Sequence, residues 1–141
     1  MLLREEFPIR SGDYQRAGEA SAAIKRKMQQ LGVSGPVLRR MAVSAYEAEM
    51  NLVIHSLGGS LILEVDPPYA RLLSQDIGPG IPDIEAAMRE GFSTANEEAR
   101  NLGFGAGMGL SNMKRNAGTF HIESTLSQGT SIRMEFDVEK S

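Results

Sequence analysis

An apolar, strand-like run at residues 70–75 ends abruptly on Asp76-Ile77-Gly78-Pro79-Gly80-Ile81-Pro82-Asp83. An acid at a strand end, followed by two glycines one residue apart, forces the chain to turn where the strand stops. Glycine tolerates positive φ and leaves no Cβ between the backbone and whatever approaches it. A second glycine cluster, Gly103-Phe104-Gly105-Ala106-Gly107-Met108-Gly109-Leu110, follows about two dozen residues later. A fold for this chain must set one acid at a strand terminus and carry two backbone-exposing loops near it. That combination suits a pocket for a flat base with a phosphate tail.

The rest of the pattern supplies the layers around that strand. Residues 2–9 read as a strand confined to an edge or strand end by Pro8, which cannot donate to a ladder. Ser11-Gly12-Asp13 offers capping side chains for a helix whose apolar face is Ala17, Ala20, Ile24, Met28 and Leu31, with Gly32 as its stop. Ser34-Gly35-Pro36 starts a second helix, with Leu38, Met41, Ala45 and Leu52 as its buried stripe, ending near Gly58-Gly59. Residues 60–65 and 70–75 are strands, 84–89 a short helix, 110–116 a helix opening at the glycines, and 119–124 and 130–138 antiparallel strands. Residues 91–109 have no apolar period and read as a long loop of the functional kind. Strands joined by short connections favour antiparallel pairing. The expected fold is therefore α/β: a two-layer sandwich, its mixed, mostly antiparallel sheet covered on one face by helices.

Composition excludes several classes. The 141 residues contain no cysteine, so neither disulfides nor thiolate metal sites are available, and a cytoplasmic setting is expected. No apolar run approaches the roughly 20 residues a membrane helix needs. The first residues, Met1-Leu2-Leu3-Arg4-Glu5-Glu6, do not read as a signal peptide. The net charge of −3 argues against nucleic acid as a partner. Residues 1–60 hold eight Lys/Arg against six Asp/Glu, whereas 61–141 hold seven against twelve. This asymmetry fits either a solvated surface or a slightly basic helical face for an acidic protein partner.

Four groups of residues have chemistry to offer. Glu47 and Asn51, four apart on the second helix, share a face roughly 130° from the buried stripe. Asn51 can offer an oxygen to a hard cation such as Mg²⁺, and Glu47 can take a proton from an attacking hydroxyl or water. An exposed pair on a solvated helix has the same spacing. Asp76 can accept from the exocyclic amine of adenine while Gly78 and Gly80 let the backbone pass close to the ring; Asp-x-Gly-Pro-Gly is also good turn chemistry. Gly105, Gly107 and Gly109 open a predicted helix whose free N–H groups suit phosphate oxygens, or form a flexible linker. The spacing matches neither a dinucleotide fingerprint nor a Walker loop. Thr130, after Gly129, can support a base through water or simply close a hairpin. His55, Lys114 and Arg115 are more readily structural or solvated.

In this order the motifs resemble the GHKL ATPase superfamily, which includes histidine-kinase catalytic domains, heat-shock chaperone ATPases and anti-sigma-factor serine kinases. The resemblance runs from about residue 37 to 136. Glu47-Ala48-Glu49-Met50-Asn51-Leu52-Val53-Ile54-His55 resembles the N box, and Asp76-Ile77-Gly78-Pro79-Gly80-Ile81 the G1 box. Gly105 to Leu110 resembles the lid motif, and Gly129-Thr130 the last box. The Glu47–Asn51 pair, Gly91-Phe92-Ser93-Thr94 and Gly107-Met108-Gly109-Leu110 are similar to the small anti-sigma and switch-protein kinases. That likeness implies one ATP-binding kinase-like domain over 1–141, with Bergerat-type binding of ATP and Mg²⁺. It implies phosphate transfer to serine or threonine of an anti-anti-sigma-like protein, or sequestration of a sigma factor, and so transcription regulation. Homodimerisation through the first strand and helix is also implied.

Carried onto this sequence, the resemblance makes Glu47 catalytic and Asn51 the metal-holding residue. ATP binding falls to Asn51, Asp76, Gly78, Gly80, Ile81, Gly105, Gly107, Met108, Gly109, Leu110 and Thr130. One departure stands out. No lysine or arginine lies between Gly91 and Ala99, where a basic lid side chain often helps hold a γ-phosphate. A non-catalytic module, in which nucleotide only gates a sigma factor or other regulator, is the alternative. A detached histidine-kinase domain would need a phosphoacceptor helical hairpin, and no segment here has that length.

Overall fold

The computed structural model describes residues 2–78, Ile84, Met88 and 109–139. Five strands form one sheet: β1 (Leu3–Ile9), β2 (Gly59–Asp66), β3 (Tyr69–Asp76), β4 (Thr119–Thr125) and β5 (Gly129–Asp137). Their spatial order is β1-β2-β3-β5-β4. All four pairings are antiparallel, so the expected mixed character is corrected to a purely antiparallel sheet among the described residues. The physical reason lies in the connections. β2–β3 and β4–β5 are hairpins, the helical excursion after β1 brings β2 back antiparallel to it, and β5 lies between β3 and β4, which run parallel but do not touch.

Three helices whose full span is described cover one face: α1 (Glu19–Gln30), α2 (Gly35–His55) and α3 (Gly109–Asn116). α2 lies between α1 and α3 and crosses the sheet. The core follows strand alternation and helical period. Leu61, Leu63 and Val65 of β2, Ala70 and Leu72 of β3, and Ile132, Met134 and Phe136 of β5 point at the helices. They meet Ile24 and Met28 of α1, Met41, Ala45, Ala48 and Leu52 of α2, and Leu110 and Met113 of α3. Each large side chain fully buried here contributes roughly 1.5–3 kcal/mol. The opposite face is charged: Arg71 pairs with Glu135 (Nε–Oε2, 3.0 Å) and lies within 3.8 Å of both Glu64 and Asp66.

Element positions agree with the sequence pattern better than element ends do. β1 is an edge strand carrying Pro8, and Gly32 at φ 80° follows α1. Leu31, however, is exposed and belongs to no apolar face. α2 stops at His55 rather than near Gly58-Gly59, and Leu38 is only partly buried. The expected cap at Ser11-Gly12-Asp13 is wrong. α1 begins at Glu19 after Gly18, which has φ 100° and no side chain to cap with. Ser11 instead ties the chain to the end of α2, its Oγ donating to the Ser56 carbonyl at 2.6 Å.

The cap of α1 comes from across the helix interface. Glu49, buried in α2, accepts from the backbone N–H groups of Gly18 (3.0 Å), Ala20 (3.2 Å) and Ser21 (2.9 Å). Three charge-assisted bonds at the positive end of a helix compensate the desolvation of this carboxylate. Ile84 and Met88 are helical, and Met88 packs against the core, in line with the expected 84–89 helix. The rest of that segment and residues 91–108 of the expected 91–109 loop lie outside the described residues, and Gly109 already belongs to α3.

Candidate functional site

The first cluster forms where β3 ends. Asp76 is half-buried there, and its Oδ1 accepts from the Thr130 backbone N–H at 2.7 Å. Burial raises the carboxyl pKa, and the Thr130 N–H acts in the opposite direction without cancelling the rise. Both neighbouring strands begin with a glycine beside it. A Cβ added to Gly59, the register partner of Asp76 on β2, would strike the Gln75 carbonyl and come within 2.8 Å of Asp76 Cα. One added to Gly129, at φ 148°, would strike the Asp76 carbonyl and lie 2.8 Å from Oδ1. Asp76 therefore sits in a slot that only Cβ-less neighbours leave open.

The chain beyond Asp76 stays tied to the loops around it. Ile77 N donates to Gly58 O (2.9 Å), Leu57 N to Ile77 O (2.8 Å) and Gly78 N to Gln128 O (3.2 Å). Ser56, at the C-terminal end of α2, packs beside Gly78. Thr130 is nearly buried, and its Oγ1 pairs with Ser124 Oγ at 2.9 Å. Its direct contact with Asp76 is made by the backbone, not by the hydroxyl that the sequence brought to notice.

The second cluster lies between α2 and the start of α3. A Cβ added to Gly109 would sit 3.1 Å from Glu47 Oε2 and 3.5 Å from Asn51 Oδ1. The two side chains thus share a face, as their spacing requires, and that face meets the first turn of α3. Asn112 Nδ2 donates to Glu47 Oε1 at 3.2 Å, and the Arg115 guanidinium donates to Asn112 Oδ1. Leu110 buries its side chain in the core, so only its backbone could reach a ligand. Along α2, Glu47 and Asn51 precede Ser56 by nine and five residues, about 14 and 8 Å of helix.

Gly80, Ile81, Gly105, Gly107 and Met108 lie outside the described residues. Lys114 is exposed on α3, and His121 is exposed on β4 beside Glu123. His55 ends α2 half-buried, and burial lowers its pKa. Sequence reasoning missed Glu49, Gly59 and Asn112. Only Asn112 had a signal, being one turn past Gly109 on the predicted helix. The donor set at Glu47 and Asn51 is all oxygen, which fits a hard cation that keeps waters and takes further ligands from phosphate.

Fold and motifs together define an ATPase of the antiparallel-sheet type, and the comparisons agree. Residues 22–140 match the family described as Histidine kinase-, DNA gyrase B-, and HSP90-like ATPase, and the chain belongs to that family. It is similar to the serine/threonine-protein kinase RsbT of Bacillus subtilis (strain 168), 28% identical over 109 residues, covering 74% of this chain and 76% of that one. It is equally similar, at 28% identity over 142 residues, to the anti-sigma F factor of Geobacillus kaustophilus (strain HTA426), covering 96% and 92%. Among solved structures, the catalytic domain of the histidine kinase ThkA in a nucleotide-free form shares the fold, with a TM-score of 0.53 and 16% identity over 97% of each chain. No helix among the described residues is long and apolar enough to cross a membrane.

Proposed function

We propose that this chain binds Mg²⁺-ATP and transfers the γ-phosphate to a serine or threonine hydroxyl of a partner protein. The observation that carries the reading is the juxtaposition of Glu47, Asn51 and Gly109: a carboxylate and an amide oxygen facing the N-terminal turn of a helix. Asp76 accepts from the adenine amine through the carboxylate oxygen that Thr130 does not engage. Asn51 would hold Mg²⁺, which neutralises phosphate charge when bound. The N–H groups at the start of α3, with Gly105, Gly107 and Met108, receive phosphate oxygens.

In the transfer step, Glu47 takes the proton of the partner hydroxyl. The hydroxyl oxygen bonds to the γ-phosphorus as its bond to the β-bridging oxygen breaks, and ADP leaves. Positioning and charge neutralisation do most of the work in such a reaction. The name anti-sigma F factor, carried by one relative, supports a partner in the sigma-factor class and a role in transcription regulation, and the kinase name of the other supports phosphate transfer to an anti-anti-sigma-like protein as the proposal has it.

The test is labelled ATP with the native partner. Wild type should label the partner, and Glu47→Ala should abolish the label while calorimetry still detects ATP binding. Bound nucleotide with no transfer to a genuine partner would leave the alternative, a nucleotide-gated module that sequesters a regulator. Absence of ATP binding by the folded chain would remove both.

A further inference from the structure

α1 and α2 pack tightly on the sheet side, through Ile24, Met28 and Met41, but they part on the outer side. The gap is a groove of about 640 Å³, lined by Lys25 and Gln29 of α1 and by a stripe of α2 from Gly35 to Glu47. Its apolar lining is Leu38, Ala42, Val43 and Tyr46, at three- and four-residue spacing. A helix that has already buried one apolar face in the core is expected to be polar on the other. Val43 and Tyr46 are nonetheless 37% and 40% exposed. Single exposed apolar residues need no explanation, but a contiguous strip inside a concavity does.

Along α2 the strip runs from a cation, Arg39, to an acid, Glu47, and α1 adds a second cation, Lys25. Lys25 and Arg39 are exposed, and neither makes an ion pair with a described residue. Glu47, the acid of the lining, is also the residue beside Asn51 and Gly109. Arg39 precedes Glu47 by eight residues, about 12 Å along the helix, a span that an extended chain covers in about four residues. A segment lying in the groove would set apolar side chains on Leu38, Val43 and Tyr46. Its acids would belong beside Lys25 and Arg39, since an acid near Glu47 would be repelled.

We infer that this groove is the docking track for an acidic segment of the phosphoacceptor protein, which delivers its hydroxyl to Glu47. The inference rests on the kinase reading for the role of Glu47 and on the groove itself for the chemistry of the partner. Charge complementarity and continuity with the Glu47 cluster favour a protein substrate over a second copy of this chain.

The experiment uses the full chain and two fluorescein-labelled synthetic peptides. Each carries one serine, leucines, and a charged cluster about four residues from the serine. The cluster is glutamate in one peptide and lysine in the other. Anisotropy should show the glutamate peptide binding about tenfold or more tightly, with affinity falling as salt rises. The Lys25→Glu/Arg39→Glu double variant should exchange that preference, and Val43→Asp should weaken both peptides. All three positions are exposed, and thermal melts would verify that the variants fold.

Equal binding of the two peptides, no binding of the acidic one, or indifference to the double reversal would overturn the docking track. So would sedimentation showing a dimer that Val43→Asp dissolves, because a second copy would then fill the groove. ATP calorimetry and partner labelling on the same samples separate the two readings. Charge-dependent peptide binding without phosphate transfer sinks the kinase reading and keeps the track. Phosphate transfer that ignores both charge reversals does the opposite.

Discussion

Asp76 and Glu47 are both acids at the candidate site, but they are held by different means. Asp76 is placed by backbone: it ends a central strand, accepts a main-chain N–H from Thr130, and lies between two glycines whose Cβ positions are already occupied. Glu47 is placed by side chains, projecting from α2 toward α3, where it accepts from the Asn112 amide. Its neighbour two residues on, Glu49, also works through its side chain, anchoring α1 across the helix interface. A residue fixed by strand register is disturbed through the backbone that surrounds it. A residue fixed by side-chain bonds can be retuned while the fold persists. Under the proposed function, recognition of a rigid base suits the first kind of placement, and taking a proton from a variable protein partner suits the second.

The comparison breaks most visibly at Glu49. Glu49→Ala leaves three backbone donors without their acceptor and should cost about 3–5 kcal/mol, read as a lower urea midpoint. A loss under about 1 kcal/mol would mean that water replaces the carboxylate and that α1 needs no side-chain anchor. Next comes Gly129→Ala, which meets both a positive φ and the Asp76 carbonyl. About 1–3 kcal/mol of strain is expected, together with loss of nucleotide binding, because Asp76 must move. Unchanged nucleotide affinity in that variant would contradict placement by backbone.

Asp76 itself sharpens the contrast through pH. Its folded carboxyl titrates above its unfolded value, chiefly because burial disfavours the charged form. The native state therefore binds the proton more tightly, and this residue makes stability fall as pH rises from the unfolded toward the folded pKa. Nucleotide affinity should run the other way, since the ionised form is the better acceptor: it should drop as pH falls through the raised pKa. Asp76→Asn should abolish that pH dependence and weaken binding by about 1.5–3 kcal/mol, measured by calorimetry across the acidic range. The smallest effect is expected from Asn112→Ala. It removes one partly exposed hydrogen bond worth about 0.5–1.5 kcal/mol and should lower phosphate transfer without altering nucleotide affinity. An equal loss in both would show that Asn112 serves the pocket as a whole.

Legibility in the sequence tracked locality. The Glu47–Asn51 face was readable because helical period is a local rule, and α3 was readable from where the glycines stop. Gly59 looked like part of a helix terminator, since nothing nearby says that Asp76 will lie beside it. Glu49 carried no local signal of its role, because its three donors come from residues 18–21 at the start of another helix. Ser11-Gly12-Asp13 had good capping chemistry and still lost, because the chain there is spent on tying β1 to the end of α2.

The sequence alone determined the element types, the covered face of the sheet, and the family to which its motifs belong, for these follow from period, turn residues and short-range spacing. Only tertiary structure decided that β5 inserts between β3 and β4, so that Gly129 and Thr130 flank Asp76, and that α2 supplies the cap of α1. Strand order and interhelical hydrogen bonds join residues dozens of positions apart. Their energies depend on where the whole chain has packed, and no local pattern encodes that.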